Sequence, residues 1–427
     1  MRRSFPRYTR LLLVPFLAIG LVLTGCDSTG SNGGNDNNGS EVFEYPSNDY
    51  GAETVANLLA FDLGVRVGNA SSNSKEVLDQ LYTGNLNGKT VPVSGNISPQ
   101  QSTYDDIAGG VDLSSLVSTS DLIRGSKLES ADSPNAGSPV NTDELLRYYF
   151  KEAGANNVSP ATSNGIVLSQ FAEKMILGTP IYGEGAAILS DFANGNVSSN
   201  RAEKWDAAFG YFGFPRTLEP YTDYSAGGEG LASGPAQDID ENGSVDLTSE
   251  YVHTWAAYAI ERSAAAENNG NANDFAGRAF DALVKGRKEI ANENYDNLSS
   301  RAQTALDAWE ETVAVNVIHY INSMQSNLEG VSGTIDDGNV GKDAWGEAKA
   351  FAWGLQFHSD QLTDEQLNAI LENIGNDPPY GEMPASDYSD LLGEGLDTDD
   401  DGEIEKDGVK RILENAYGFD SANVQNW

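Results

Sequence analysis

The sequence predicts an all-α fold of one helical bundle or two, with long irregular loops. Three observations predict it. Apolar residues recur at helical spacing along most of the chain beyond Ala52. No stretch alternates apolar and polar residues long enough to read as a run of strands. A tryptophan-centred helical signature occurs at Trp205–Gly213 and has an echo at Trp345–Gly354.

Composition sets the limits. The 427 residues suffice for one large domain or two ordinary ones. Hydrophobic residues make up 39%, with 18 Tyr, 15 Phe and 6 Trp, so the chain can bury a sizeable core. The formal charge is −38 and is spread along the chain. Four of the 26 bases fall in the first 25 residues, where there is no acid; beyond them 22 bases face 64 acids, a balance of −42. Such a surface repels nucleic acid and anionic membrane faces, so no nucleic-acid partner is expected. Molar salt screens self-repulsion on this scale, the Debye length there being about 3 Å. Abundant carboxylates with only 12 Lys therefore point to a halophilic setting. The single cysteine rules out an internal disulfide and a cysteine-built zinc cluster.

Residues 1–25 read as a bacterial export signal, with Arg2, Arg3, Arg7 and Arg10 as the positive end and Leu11–Leu23 as the apolar stretch. It closes with Leu23-Thr24-Gly25-Cys26, which resembles the lipobox of bacterial lipoproteins. In those proteins small residues admit the cysteine to the peptidase, and the cysteine becomes the acylated mature N-terminus. Cys26 is thus the expected lipidation site and membrane anchor, several acyl chains holding far better than one. Residues 26–44, rich in Gly, Ser, Asn and Asp, are the expected flexible tether. This places residues 45–427 in the cell envelope, at the inner or the outer membrane.

The helical domain opens with Val55, Leu58, Leu59, Leu63 and Val67 at helical spacing, and a short helix follows at Lys75–Leu81. Residues 84–140, broken by Pro, Gly, Ser and Asn, predict a surface excursion or lid. Asn141-Thr-Asp-Glu144 is a cap-and-acid helix start leading into Leu145–Phe150. Gly165–Phe192 reads as one long apolar helix that Pro180 should kink or split in two. In the next helix Trp205, Ala208, Phe209 and Phe212 fall on one stripe, and Gly213-Phe-Pro215 ends it. Further helices are predicted at Ser249–Ala266, Asp274–Asn292, Ser299–Asn327, Asp343–Phe357, Thr363–Asn373 and Glu405–Tyr417.

Phe171-Ala-Glu173 precedes Trp205 by 34 residues and Trp309-Glu-Glu311 precedes Trp345 by 36. Each later tryptophan opens a Trp-x-x-Ala-x-small-aromatic pattern. Two related halves, 45–250 and 251–427, would produce this repetition. So would two unrelated helices that use small residues to pack closely.

Two acidic turns carry the clearest chemical pattern. Asp238-x-Asp240-x-Asn242-Gly243-x-Val245-Asp246 and Asp397-x-Asp399-x-Asp401-Gly402-x-Ile404-Glu405 match the first nine positions of an EF-hand calcium loop. Oxygens at positions one, three and five converge on the ion, and glycine at six allows the sharp turn. The candidate ligands are Asp238, Asp240, Asn242, Ser244, Asp246 and Glu250 in the first loop. In the second they are Asp397, Asp399, Asp401, Glu403, Glu405 and Asp407. Both loops depart from the pattern at position twelve, where a bidentate Glu should close the sphere. The first has Ser249 with Glu250 next; the second has Gly408 with Asp407 before it. A shift of one residue would still deliver a carboxylate, and an open sphere would suit millimolar extracellular calcium. Calcium is the expected cofactor, with fastening adjacent helices as its role. The plainer reading of the same residues is a solvated turn in an acidic protein.

The three histidines are His253, His319 and His358. His319 lies in the apolar run Val317–Ile321, on a helix that also carries Glu310 and Glu311. It is either a hydrogen-bonded core residue or a candidate second metal site. His253 follows Glu250 by three on the expected helix, so Glu250 can serve calcium or pair with the imidazole. No His-Glu-x-x-His, Gly-x-Ser-x-Gly or P-loop motif occurs, leaving hydrolase, kinase and dehydrogenase readings without support.

From Tyr45 onward the chain resembles the bacterial surface lipoproteins known as the domain-of-unknown-function 4856 family. The pieces that carry the resemblance are Trp205-Asp206-x-Ala208-Phe-Gly-Tyr-Phe-Gly213, Glu173-Lys174 with Gly178, Asp246-Leu-x-Ser249-Glu250-Tyr251, Gly286-Arg287, and Ile318-His319-Tyr320. The first is the specific one. That family is similar to the imelysins, helical surface proteins linked to iron acquisition. The resemblance implies an all-α envelope lipoprotein, an accessory in metal uptake that meets another envelope protein. Where the family often has a histidine before the tryptophan this chain has Lys204, and the Gly-x-His-x-x-Glu motif of imelysins is absent. Peptidase and direct iron chemistry are therefore not carried over. The competing expectations are a metal-dependent hydrolase built on His319 and a purely structural envelope module.

Overall fold

Among the described residues of the computed structural model, the first helix begins at Gly51. The structure describes residues 42–45, 49–69, 75–93, 97–117, 123, 140–155, 166–223, 230–231, 234–336, 342–397 and 403–427. The export signal, Cys26, most of the tether, Asp399 and Asp401 lie outside the described residues. Ser40–Trp427 forms one unit. It is all-α, with two ribbons of two-residue strands as its only sheets among the described residues.

Helix α1 (Gly51–Gly68) is buried on nearly every side, Asn57 and Asp62 included. That marks a helix inside a bundle, not an amphipathic one on its surface. Helix α2 (Lys75–Tyr82) follows. The described part of the 84–140 excursion is pinned to the core: Tyr104 is fully buried in a short 3-10 turn and donates to Asp62 Oδ2 at 3.1 Å. Helix α3 (Thr142–Ala155) starts on the expected cap, Asn141 Oδ1 accepting the Glu144 N–H at 2.9 Å. The Glu144 carboxylate accepts the Asn141 N–H in return at 3.2 Å.

Pro180 does not split its helix. Helix α4 (Leu168–Ile176) runs through a π-helical segment (Leu177–Gly183) into α5 (Glu184–Ala193). A ladder widened to i→i+5 absorbs the residue that has no N–H to give. Helix α6 (Arg201–Phe212) ends at Gly213, whose φ of 84° is the left-handed stop that glycine allows without strain. Strands β1 (Thr222–Asp223) and β2 (Gly230–Leu231) pair next.

Helix α7 (Thr254–Asn268) starts later than Ser249, the expected start, with extended His253 as its N-cap. Ser249 is held elsewhere, its carbonyl accepting the Arg216 N–H at 2.8 Å. Helix α8 spans Phe275–Ala291. Helix α9 (Leu298–Leu328) has 31 residues and so runs about 46 Å. Helices α10 (Lys342–Gly354), α11 (Asp364–Ile374) and α12 (Ala385–Leu392) follow. Strand β3 (Gly395–Leu396) pairs with β4 (Lys406–Asp407), which delays the last long helix, α13, to Val409–Tyr417 in place of the expected start at Glu405. Helix α14 (Ser421–Asn426) closes the chain. None of the helices described is long and apolar enough to cross a membrane.

Helix α9 is the axis, packed by α5, α7, α8 and α10, while α1 sits against α4 and α6. Helices from either side of residue 250 therefore interleave, α4 lying on α10 and α5 on α9. Both signature tryptophans are fully buried and do the same work. Trp205 Nε1 donates to the Leu283 carbonyl at 2.8 Å, and Trp345 Nε1 to that of Ile374 at 3.1 Å. Gly286 lies against the Trp205 ring, where an added Cβ would overlap it. One residue on, Arg287 Nε meets Asp206 Oδ1 at 2.7 Å with both side chains buried. The guanidinium also lies 4.5 Å over the Tyr45 ring. The Trp-Asp and Gly-Arg pieces of the sequence signature are thus two halves of one α6–α8 contact.

Candidate metal centre

The first acidic loop is built by its own main chain. Gly243 at φ 92° and Glu241 at φ 57° make the turn. Asp238 accepts the N–H of Asn242 at 3.0 Å and of Gly243 at 2.7 Å, one on each oxygen. Asp240 accepts the Asn242 N–H at 3.1 Å and the Asn242 side-chain amide at 2.8 Å. Asn242 Oδ1 takes the Ser244 N–H at 3.0 Å and its hydroxyl at 2.7 Å. Antiparallel bridging of Ala236 with Tyr251 closes the loop at its base.

Glu250 is the keystone. It is 1% exposed, and its carboxylate points back into the loop. Oε1 accepts the N–H groups of Ile239 at 2.9 Å and Asp240 at 3.1 Å; Oε2 accepts that of Asp246 at 2.9 Å. Ligand atoms of Asp238, Asp240 and Glu250 lie within 4.8 Å of one another, the one such acidic grouping among the described residues. The residue shift is real in the geometry: the carboxylate absent from position twelve arrives from position thirteen.

Asp246 is not part of that grouping. Its Oδ1 accepts the Thr248 N–H at 2.8 Å, the Thr248 hydroxyl at 2.7 Å and Gln101 Nε2 at 3.0 Å. Burial pushes its carboxyl up, but the Thr248 and Gln101 donors outweigh this and hold it below the usual range. Gln101 returns the contact by accepting the Leu247 N–H at 3.0 Å, and Ser98 and Gln100 pair with the Val245 main chain. The loop is thereby clasped to a segment over a hundred residues upstream. No local pattern announces Gln101, because its partner is distant in sequence.

The two loops sit in different frames. No helix enters the first, which lies between β2 and α7; the second lies between α12 and α13 with a strand on each side. In the second, Asp407 Oδ1 faces Arg411 Nε at 3.1 Å and its side chain is 56% exposed, so it is spent on an ion pair. Asp397, Glu403, Glu405 and Asp407 form no three-acid grouping among the described residues.

His319 is not among the residues that converge at the first loop. Its ring bonds to the main chain of Trp427, and burial followed by the Arg262 charge lowers its pKa to about 3. Glu310, on the same helix, is consumed by the Ser359 hydroxyl at 2.6 Å, the Asp360 N–H at 2.9 Å and the Tyr417 hydroxyl at 2.8 Å. Glu311 pairs with Arg278. The expected His319–carboxylate constellation is therefore not assembled. His253 is buried too, its Nε2 2.9 Å from the Leu247 carbonyl, and burial lowers its pKa to about 4. It braces the loop's exit instead of pairing with Glu250, which lies outside the helix.

Fold and site together define an all-α helical bundle bearing an oxygen-lined acidic loop. Compared with protein-family models, curated proteins and solved structures, the chain finds no match.

Proposed function

We propose that this chain is a non-enzymatic, calcium-binding lipoprotein of the cell envelope, held to the membrane through acylated Cys26. Calcium in the Asp238–Glu250 loop fastens the 97–117 segment to the start of α7. The observation that carries the reading is the buried Glu250 carboxylate converging with Asp238 and Asp240. All the donors are hard oxygens, the preference of Ca2+ over softer metals. The main-chain amides on Asp238 and Glu250 orient these carboxylates without using all of their roughly four lone-pair sites each. Asn242 and the Ser244 carbonyl occupy the remaining loop positions.

The role in the envelope is that of an accessory in metal uptake, working with another envelope protein. It rests on the lipobox sequence and on the likeness to domain-of-unknown-function 4856 and imelysin-like lipoproteins. The hydrolase alternative is weaker, because His319 faces Arg262 and the Trp427 main chain. Calorimetric titration of the purified chain with calcium, against Asp240→Ala, tests the site. Saturable binding lost in the variant is expected; equal heats in both proteins reject it. Acylation is tested by mass analysis of the N-terminal peptide, which should carry lipid on Cys26 and none after Cys26→Ser.

A further inference from the structure

A cavity of about 300 Å³ opens on the far side of the acidic loop, lined by Glu44, Asp49, Tyr50, Arg216, Asp246 and Thr248 among others. Its size is at the low end for ligand pockets, about 300–1,000 Å³, and fits a small molecule.

Tyr50 sets this cavity apart from a surface dent. It is 7% exposed, with its ring edge-on to Phe43 and Phe209. Its hydroxyl has no hydrogen-bond partner among the described residues, yet it is not one of the polar atoms sealed in the core. A tyrosine hydroxyl this buried normally finds a partner. Here the partner has to come through the cavity that Tyr50 lines.

The charges around it are of both signs. Arg216 is 28% exposed, and its one ion pair among the described residues, to Glu44 at 3.6 Å, is loose because Glu44 is 68% exposed. A wet pair of this kind yields to a better-placed carboxylate. The start of α1 beside it has no side-chain cap and adds the positive end of the helix dipole. Asp49 and Asp246 line the same cavity, and of the charges around the Tyr50 hydroxyl Asp246 acts on it most strongly. A simple anion would meet this excess of acid and the field of the whole chain. A simple cation would have to sit beside Arg216.

We propose that the cavity binds a small zwitterion of the α-amino-acid type, its carboxylate on Arg216, its ammonium on Asp49 and Asp246, and the Tyr50 hydroxyl bonded to the molecule between them. This goes beyond the calcium reading and does not need it, since Asp246 is held by protein donors.

Titration calorimetry of the full chain at molar salt tests the proposal, with L-alanine, L-leucine and L-lysine as zwitterions and acetate and ethylammonium as single-charge controls. At least one amino acid should bind tenfold or more tighter than either control. Tyr50→Phe removes a hydroxyl that bonds to no other described residue, so the melting temperature should hold while binding weakens about five- to tenfold. Arg216→Gln should weaken it more than tenfold. A control binding as tightly as the amino acids overturns the proposal. So does the absence of heat from every amino acid at millimolar concentration, or affinity untouched by both substitutions.

Discussion

Glu250→Gln separates the two tasks assigned to one side chain. The carboxylate accepts three main-chain N–H groups, two on Oε1 and one on Oε2. Glutamine keeps one oxygen for Ile239 and Asp240 but turns its amide donor toward the Asp246 N–H. One charge-assisted bond is lost and two are weakened, a cost of about 2–3 kcal/mol where charged bonds contribute about 1.5–3 each and loop amides can partly rehydrate. With unfolding entropy near 2 cal/mol/K per residue, a unit of this size loses roughly 1 °C per kcal/mol, so the melting temperature in chelator should fall by about 3 °C. Calcium at a hundredfold excess over Kd adds about 2.7 kcal/mol to the native protein, another ~3 °C, which the variant should largely forgo. Scanning calorimetry of both proteins in chelator and in calcium reads the two steps. Equal melting in chelator would refute the stitching role. An equal calcium increment in both would remove Glu250 from the ion.

Three further outcomes follow from the packing. Asp206→Asn removes the carboxylate that faces the buried Arg287 Nε and should destabilise by about 3–5 kcal/mol, read by urea unfolding. Gly286→Ala drives a methyl into the Trp205 ring and should cost about 1–3 kcal/mol with a shift in tryptophan emission; an unchanged spectrum and midpoint would contradict the contact. Burial pushes Glu53 and Glu347 up to about 7 and Asp206 up to about 6. Folded values above unfolded ones mean stability present below about pH 4 and lost as pH rises through 6–7. His253 and His319, lowered to about 4 and about 3, act oppositely: their contribution is present above about 6.5 and lost as pH falls toward those values. Lys349, lowered to about 7 by burial, gains stability as pH rises above 7, so the acids are read by difference: between pH 5 and pH 7 Glu347→Gln should lose less melting temperature than the unsubstituted protein, and equal slopes would contradict the assignment.

What could be read from the sequence was what is local. Long helices with a clear apolar period were legible to within a few residues, and Asn141 announced its capping box. The misplaced starts of α7 and α13 have one cause. Ser249 is bound to Arg216, and Lys406–Asp407 pair with Gly395–Leu396, so a distant hydrogen bond takes main chain that local propensity would make helical. Pro180 marked the irregularity but not its form, since a π-helical ladder is set by what packs around it. At the acidic loop the pattern pointed to Asp238, Asp240 and the displaced Glu250. It could not show that Asp246 faces Gln101 and Thr248, because side-chain direction there is fixed by a partner 145 residues away. Arg216 and Tyr50 carried no signal at all: their meaning lies in the cavity.

The signature motifs sort into two constructions with different demands. Trp205, Asp206, Gly286 and Arg287 join α6 to α8 through an indole hydrogen bond, a missing Cβ and a buried ion pair. Each residue has a reason in packing, so the motif's specificity needs no substrate to explain it. Asp246, Ser249 and Glu250 form the other construction, and here packing does not suffice. A loop meant only to turn the chain has no need to bring a nearly unexposed carboxylate against two others. Like charges drawn together are unfavourable, though Asp238 is only half-buried and Asp240 is exposed to water. The amides on Glu250 meet that demand in part, and under the proposed reading calcium would meet the rest.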